Sequence, residues 1–267
     1  MVVDRDMNLY FVREVKGMDN NEILNIAVQQ HAIDYNCAPE DFSSSENKVV
    51  ISKENPKARA YLRLPFFCAL TSFGNNIVAS VNADIAEFVS EYIKDKKIED
   101  CFAPPNIFTL NDELRKHGSQ ISFCAQRLLP DVNLVKPVSC GYELKTLHPD
   151  EYSSLYGKPE WSTVTGSGKR KHLDRLAIGA YDGEKLIGLA GSEASSERMW
   201  QIGIEVLPDY RRKGVAKALT AKLALEILSL GIVPFTGNRW ANIRSLKTQL
   251  SCGFKPAWAE MIANSAE

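Results

Sequence analysis

Four basic residues surround one glycine in the segment PDYRRKGVAKAL: Arg211, Arg212, Lys213 and Lys217 lie around Gly214. Cationic side chains around a glycine favour anion binding, because the glycine lets an anion reach backbone N–H groups. If the segment starts a helix, each positive charge at the helix N-terminus costs roughly 0.3–1 kcal/mol. A bound anion would offset that cost, and the alternative is a helix that begins with solvated cations.

A strand and a helix are predicted on either side of this segment. Upstream, Trp200, Ile202, Ile204 and Val206 alternate as residues of one strand face. Downstream, an apolar stripe at helical spacing predicts a helix that Gly231 ends. The stripe consists of Ala216, Leu219, Leu223, Ile227 and Leu230. The first amide groups of such a helix lack internal partners and carry partial positive charge, and a diphosphate fits this arrangement.

Two motifs resemble one known family. The pattern R-x-x-G-x-A, from Arg211 to Ala216, follows a strand and opens a helix, and it resembles the acyl-CoA diphosphate loop of the GNAT N-acetyltransferase superfamily. Downstream, NIRSLKTQLSCGF has Ser245 three residues after Asn242 and is similar to a later helix and strand of that family. The resemblance covers the chain from Tyr142 to about Met261.

The resemblance implies an α/β protein of the GNAT acyl-CoA N-acyltransferase fold, with a splayed mixed sheet flanked by helices and acetyl-CoA as cosubstrate. A bulge would separate the strands QIGIEV and IVPFT, and the pantetheine arm would pair with the strand edge at Ile204, Glu205 and Val206. The implied diphosphate ligands are Arg211, Arg212, Lys213, Gly214, Val215, Ala216 and Lys217. Asn242 would bond to the pantetheine arm or a phosphate, with Ser245 in the same cofactor site.

Acetyl transfer to an amine needs a polarised thioester carbonyl, a neutral amine and a proton for the leaving thiolate. The expected carbonyl polariser is the backbone N–H of Val206. The family often has a tyrosine seven residues after the asparagine, where this chain has Gln249. We expect Gln249 to donate a hydrogen bond to the thiolate, but it cannot supply a proton, so water or another group does so or transfer is slow. The family also often has a carboxylate at the end of the strand before this helix, where this chain has Thr236–Asn238. We therefore expect Glu205 to be the general base. The alternative reading of Glu205 is a strand residue that faces the solvent. Glu193 is the other carboxylate on a predicted strand near the cleft.

The expected acceptor is an amine of low pKa on a small molecule, such as an α-amino group, because the base is weak. Trp161, Trp240 and Trp258 are candidates for the walls of its pocket or for core packing. Cys252 is expected to pack rather than to act as a nucleophile, since direct attack needs no covalent intermediate. The alternatives are an acyl-CoA-binding or sensor protein with little catalysis, and an acetyltransferase for a protein or peptide amine.

The composition limits the other functional classes. The chain has 267 residues, of which 45% are hydrophobic and 24% charged, and its net charge of -1 gives no field to attract nucleic acid. The longest apolar stretch, LPFFCAL, is too short to cross a bilayer, and the N-terminus lacks the apolar core of a secretory signal. Six scattered cysteines and four histidines show no ligand spacing. We expect a cytoplasmic protein with reduced thiols, no metal and no membrane role.

A domain boundary is predicted in PDVNLVKPVSCG, which loses periodicity and carries two prolines. It separates a smaller N-terminal mixed α/β domain, residues 1–135, from the GNAT-like domain, residues 136–267. The segments LNDELRKHGSQISFC and SLKTQLSCGFKPAW both indicate helix, glycine and strand, which would suit an N-terminal domain that is a degenerate GNAT-like lobe. The loop GSGKRK lacks the spacing of a P-loop and is interpreted as a solvated connection.

Overall fold

A computed structural model describes residues 17–166 and 168–265. The N-terminal segment, in which no signal core was predicted, lies outside these residues. Within them, ten strands form one mixed sheet: β1 (Lys48–Ile51), β2 (Cys68–Ser72), β3 (Val78–Val81), β4 (Ser119–Pro130), β5 (Glu143–Leu147), β6 (Asp174–Asp182), β7 (Lys185–Glu193), β8 (Met199–Val206), β9 (Val233–Asn238) and β10 (Phe254–Ser265). The α-helices are α1 (Asn20–Tyr35), α2 (Ala86–Ile93), α3 (Ile98–Cys101), α4 (Asn106–Lys116), α5 (Ser162–Thr165), α6 (Val215–Ser229) and α7 (Ile243–Ser251). The predicted mixed α/β class is confirmed.

The two halves of the chain share this sheet. The strand order is β1-β3-β2-β10-β4-β9-β8-β7-β6-β5. β10 lies between two strands of the N-terminal half and pairs antiparallel with both β2 and β4. β4 in turn pairs antiparallel with β9. The boundary between residues 135 and 136 therefore does not coincide with a break in the sheet, and the division into two domains stays a proposal.

Both predicted helix–glycine–strand segments are present. Gly118 joins α4 to β4 with φ 68°, and Gly253 joins α7 to β10 with φ 90°. Glycine adopts such angles without strain. At Gly253 a Cβ would also lie only 2.6 Å from the carbonyl carbon of Leu134. β4 and β10 then pair with each other along their whole length, and the degenerate N-terminal lobe stays a proposal.

α6 packs on the sheet through most of its predicted stripe. Fully buried members of the stripe are Leu219, Leu223 and Ile227. Gly188 of β7 makes room for the first turn of α6, because a Cβ there would lie 2.9 Å from the side chains of both Val215 and Leu219. The start of α6 is thereby fixed close to the end of β8. Leu230 was wrongly assigned to the stripe: it follows the last residue of α6 and is 60% exposed.

The described part of the chain lacks two features. None of its helices has the length and apolarity that a bilayer span requires. Nor do these residues contain a group of three or more His, Cys, Asp or Glu side chains arranged to hold a metal ion.

A buried ion cluster links α1 to β4 and β10. Glu260 accepts hydrogen bonds from Arg127 Nε at 2.7 Å and from the indole N–H of Trp258 at 3.1 Å. Arg59 forms an ion pair with Asp34 on α1, and its Nη1 lies 3.9 Å from Glu260. Burial opposes ionisation of Glu260, but the charges of Arg127 and Arg59 outweigh it and lower its pKa to about 2.

Replacing Glu260 by alanine should lower the free energy of unfolding by about 3–5 kcal/mol, because the buried guanidinium group of Arg127 loses its counter-charge, whereas Arg59 keeps Asp34. In the wild type this contribution is complete above the unfolded pKa of about 4.3 and is lost as the pH falls towards 2. Urea unfolding measures both effects. The control is Glu91→Ala, which breaks an exposed pair with Lys94 and should cost at most about 1 kcal/mol. Equal losses in the two variants would contradict the assignment.

Candidate active site

The basic turn joins the end of β8 to the start of α6. After a 3-10 turn at Pro208–Tyr210, Arg212 and Gly214 adopt positive φ angles of 62° and 81°. The first hydrogen bond of α6 runs from the N–H of Ala218 to the carbonyl of Gly214 at 3.0 Å. The amide groups of residues 215–217 therefore point out of the helix end without internal partners.

The space above this turn is open. A Cβ added at Gly214 would meet, among the described residues, only the Cβ of Cys140 at 3.8 Å. No side chain from the described residues caps the start of α6. The outward amides, the positive end of the helix dipole and the open surface together form an anion site of the kind predicted.

Two of the basic side chains turn back towards the protein. Arg211 Nε donates to the carbonyl of Val206 at 2.9 Å, and Arg211 Nη2 lies 3.3 Å from Glu205 Oε1. Lys213 Nζ lies 5.0 Å from the ring centroid of Tyr210. Part of the positive charge therefore stabilises the turn itself, and the backbone amides are the main groups left to bind an anion.

β8 and β9 run parallel but pair at one end only. Three residue pairs join them, of which the last is Gln201 with Phe235. Beyond this pair β8 follows β7 as far as Val206, whereas Thr236–Asn238 of β9 pair with Gln126–Leu128 of β4. The two strands part, and a gap opens between them.

The gap forms without the expected bulge. The register of β7 and β8 is constant, from Gly188 opposite Val206 to Glu193 opposite Gln201. The strands separate where the end of β9 diverges from β8 and pairs only with β4. The predicted bulge is wrong, and the predicted separation of the two strands is present.

The backbone of β8 presents hydrogen-bonding groups to the gap. The N–H of Leu207 donates to the carbonyl of Ile187 on β7 at 2.9 Å. Because hydrogen-bonded and non-hydrogen-bonded pairs alternate in antiparallel strands, Ile204 and Val206 point their N–H and C=O groups away from β7 and towards the gap. The backbone of Glu205 points to β7, so its predicted pairing with a ligand in the gap is wrong.

The side chain of Glu205 lies on the face opposite α6, as the alternation predicted. Its Oε2 accepts from Thr163 Oγ1 on α5 at 2.8 Å. Its Oε1 accepts from the Val206 N–H and lies near Arg211, both at 3.3 Å. Glu205 therefore joins α5, β8 and the basic turn, and its carboxylate is already occupied by three donors.

Gln249 is buried in a side-chain network. Its Nε2 donates to Thr236 Oγ1 at 2.7 Å and to Ser245 Oγ at 3.1 Å, and its Oε1 accepts from Asn238. Asn242 begins α7 and accepts from the N–H of Ser245 at 3.3 Å. Both amide hydrogens of Gln249 are used in this network, so Gln249 holds α7 against β9 and offers no free donor to a thiolate.

Most of the aromatic and thiol candidates lie in the core. Trp161 and Trp258 are buried in separate apolar clusters. Trp240 is exposed and lines a cavity of 270 Å³ together with Asn238. Burial raises the pKa of the Cys252 thiol, which keeps this side chain protonated and packed.

A second cavity lies between α5 and the face of β7 and β8 that bears Glu205. Its volume is 310 Å³. Gly191 and Gly203 let α5 lie directly on the sheet, because a Cβ at these positions would come within 2.4 Å of Val164 Cγ1 and 2.6 Å of the Thr163 carbonyl oxygen. Sequence reasoning missed this cavity, although the loop GSGKRK, interpreted as a solvated connection, supplies part of its wall.

The class of the protein follows from its sequence match. Residues 132–257 match the family model described as GNAT acetyltransferase. This part of the chain is a GNAT acetyltransferase domain. The family that the two motifs implied is thus confirmed. No protein of curated function matches the chain at a significant level.

Several solved structures are similar to parts of the chain. A GCN5-related N-acetyltransferase-like protein from Streptococcus suis shares 19% identity over 70% of this chain and 71% of its own, with a TM-score of 0.42. A GCN5-related N-acetyltransferase from Kribbella flavida shares 15% identity over 61% and 65%, with a TM-score of 0.43. A GNAT-family acetyltransferase from Colwellia psychrerythraea shares 12% identity over 54% and 56%, with a TM-score of 0.42. The family assignment rests on the sequence match alone.

Proposed function

We propose that this chain transfers an acetyl group from acetyl-CoA to an amine of a small molecule, by direct attack of the amine on the thioester. The observation that carries this proposal is the gap between β8 and β9, which opens beside the outward amides at the start of α6. Acetyl-CoA supplies the activated acyl group when it is bound. A backbone edge next to a helix N-terminus suits a molecule in which an amide-containing arm is joined to a diphosphate.

The turn before α6 fits the diphosphate. Val215, Ala216 and Lys217 supply amide donors, and Gly214 leaves room above them. The side chains of Arg212 and its basic neighbours add positive charge around the same space. Arg211 and Lys213 contribute mainly by shaping the turn, since both contact the protein.

The edge of β8 fits the pantetheine arm. Ile204 and Val206 offer the backbone groups that face the gap. The N–H of Val206 makes only a 3.3 Å bond to Glu205, longer than the usual 2.9–3.0 Å, and can exchange it for the thioester carbonyl oxygen. Asn242 and Ser245, joined to each other by a similarly long bond, stay assigned to the arm or a phosphate.

Proton transfer to the thiolate does not involve Gln249, which is fully engaged elsewhere. The leaving thiolate takes the proton that the nitrogen loses after attack. Glu205 acts as a positioning residue, because its carboxylate already holds Thr163 and Arg211. We also propose a cytoplasmic location, which the six free cysteines support.

Gly214→Asp should weaken CoA binding by roughly a hundredfold or more, because it places a side chain and a negative charge beside the diphosphate. The matched control is Gly231→Asp, at the opposite end of α6, where glycine also has a positive φ of 74°. Isothermal titration with CoA measures both affinities. Equal affinities in the two variants would show that the turn does not hold the diphosphate.

The acceptor should be an amine of low pKa. Deprotonation at pH 7 costs roughly 4–5 kcal/mol for a lysine-like amine of pKa ~10.4, but only about 1 kcal/mol for an α-amino group of pKa ~7.7–8. Free-thiol release should therefore give a kcat/KM at least about tenfold higher for glycinamide than for n-butylamine at pH 7. A preference for n-butylamine would overturn this proposal, and a preference for a peptide with a free N-terminus would indicate a peptide acceptor.

A further inference from the structure

The 310 Å³ cavity beneath α5 has a polar floor that leads to the gap. Asp174 of β6 lies opposite Glu193 of β7, Glu193 lies opposite Gln201 of β8, and Gln201 lies opposite Phe235 of β9. Directly opposed residues in a sheet point to the same face. Asp174, Glu193 and Gln201 all line the cavity. The row ends at the pair where β8 and β9 separate.

Glu193 has an oxygen without a partner. Arg170 holds its Oε2 through Nε at 3.0 Å and Nη2 at 2.8 Å. Its Oε1 is buried and accepts no hydrogen bond from the described residues. A buried carboxylate oxygen without a donor is costly, so this oxygen is suited to a ligand N–H. Glu205 differs, because three donors already occupy its carboxylate.

Charged and polar groups from β6, β8 and the loop after α5 surround Glu193. On β6, Asp174 accepts a hydrogen bond from Tyr156; burial raises the pKa of Asp174, and the charge of Glu193 raises it further. Arg170 and Lys169 of the loop after α5 line the same cavity, and Gln201 is the neutral neighbour on β8. Of these groups Arg170 contacts Glu193 directly and fixes its orientation.

We propose that this cavity is the acceptor site, that it takes a small primary amine, and that Glu193 is the general base. The inference rests on the proposed acetyl transfer. Its volume lies at the lower end of the range for small-molecule pockets, roughly 300–1,000 Å³. This size suits a molecule with few heavy atoms, and it disfavours a folded protein as acceptor.

The bound ammonium gives one proton to Glu193 Oε1, and the neutral nitrogen attacks the thioester carbonyl carbon. The carbon–nitrogen bond forms and the carbon–sulfur bond breaks. The second proton of the nitrogen goes to the departing thiolate, and Glu193 returns its proton to water. One ammonium and one thioester thus give one amide, one thiol and one proton.

Glu193→Gln should lower kcat/KM for glycinamide by about a hundredfold or more and leave the affinity for CoA unchanged, because the cavity lies on the sheet face opposite α6. The matched control is Glu197→Gln, an exposed residue in the connection between β7 and β8, which should keep wild-type activity. The pH profile adds a readout: the fall in rate that the wild type shows on acidification should be weakened in Glu193→Gln.

Three outcomes would overturn the inference. The first is a Glu193→Gln variant that binds CoA normally and retains kcat/KM within about twofold of the wild type. The second is a wild type that binds CoA but releases no thiol with glycinamide or n-butylamine. The third is a loss of rate in Glu193→Gln with an unchanged pH profile, which would assign the residue a structural role. Failure of the wild type to bind CoA would instead contradict the proposed function.

Discussion

The pairing of β9 with β4 is the interaction on which the rest of the site depends. Thr236–Asn238 pair with Gln126–Leu128 on one edge of β9, and this pairing holds the end of β9 beside β4, while its other edge does not pair with β8. β8 keeps its register with β7 and therefore separates from β9. A strand from the N-terminal half thus holds one side of the gap into which the pantetheine arm would fit. The N-terminal half therefore contributes to the candidate site through β4, which pairs with the end of β9.

The buried ion cluster lies directly against this pairing. Arg127 of β4 is opposite Gly237 of β9, and a Cβ at Gly237 would lie 2.6 Å from the guanidinium Nη1. Glycine therefore lets the Arg127 side chain cross the end of β9. Glu260 of β10 neutralises Arg127 and so couples three neighbouring strands. Because removing one member leaves uncompensated buried charge, the cluster fixes the sheet where the gap begins.

The local sequence pattern predicted those parts of the site that lie within a single strand, helix or turn. The strand before Gly214, the helix after it and the open turn between them follow from alternation, spacing and one positive φ. Tertiary placement decided the rest. β2 was not predicted, because all five of its residues are buried and show no alternation. The pairing of β4 with β9, the buried network of Gln249 and the partnerless oxygen of Glu193 join residues that lie far apart in the sequence, so no local pattern indicates them.

A crystal structure of the protein with CoA would test the central claim most directly. The expected result places diphosphate oxygens roughly 2.7–3.2 Å from the amide nitrogens of Val215, Ala216 and Lys217, with the pantetheine arm between β8 and β9 opposite Ile204 and Val206. CoA bound elsewhere on the molecule, or β8 and β9 hydrogen-bonded to each other up to Val206 and Asn238, would contradict it.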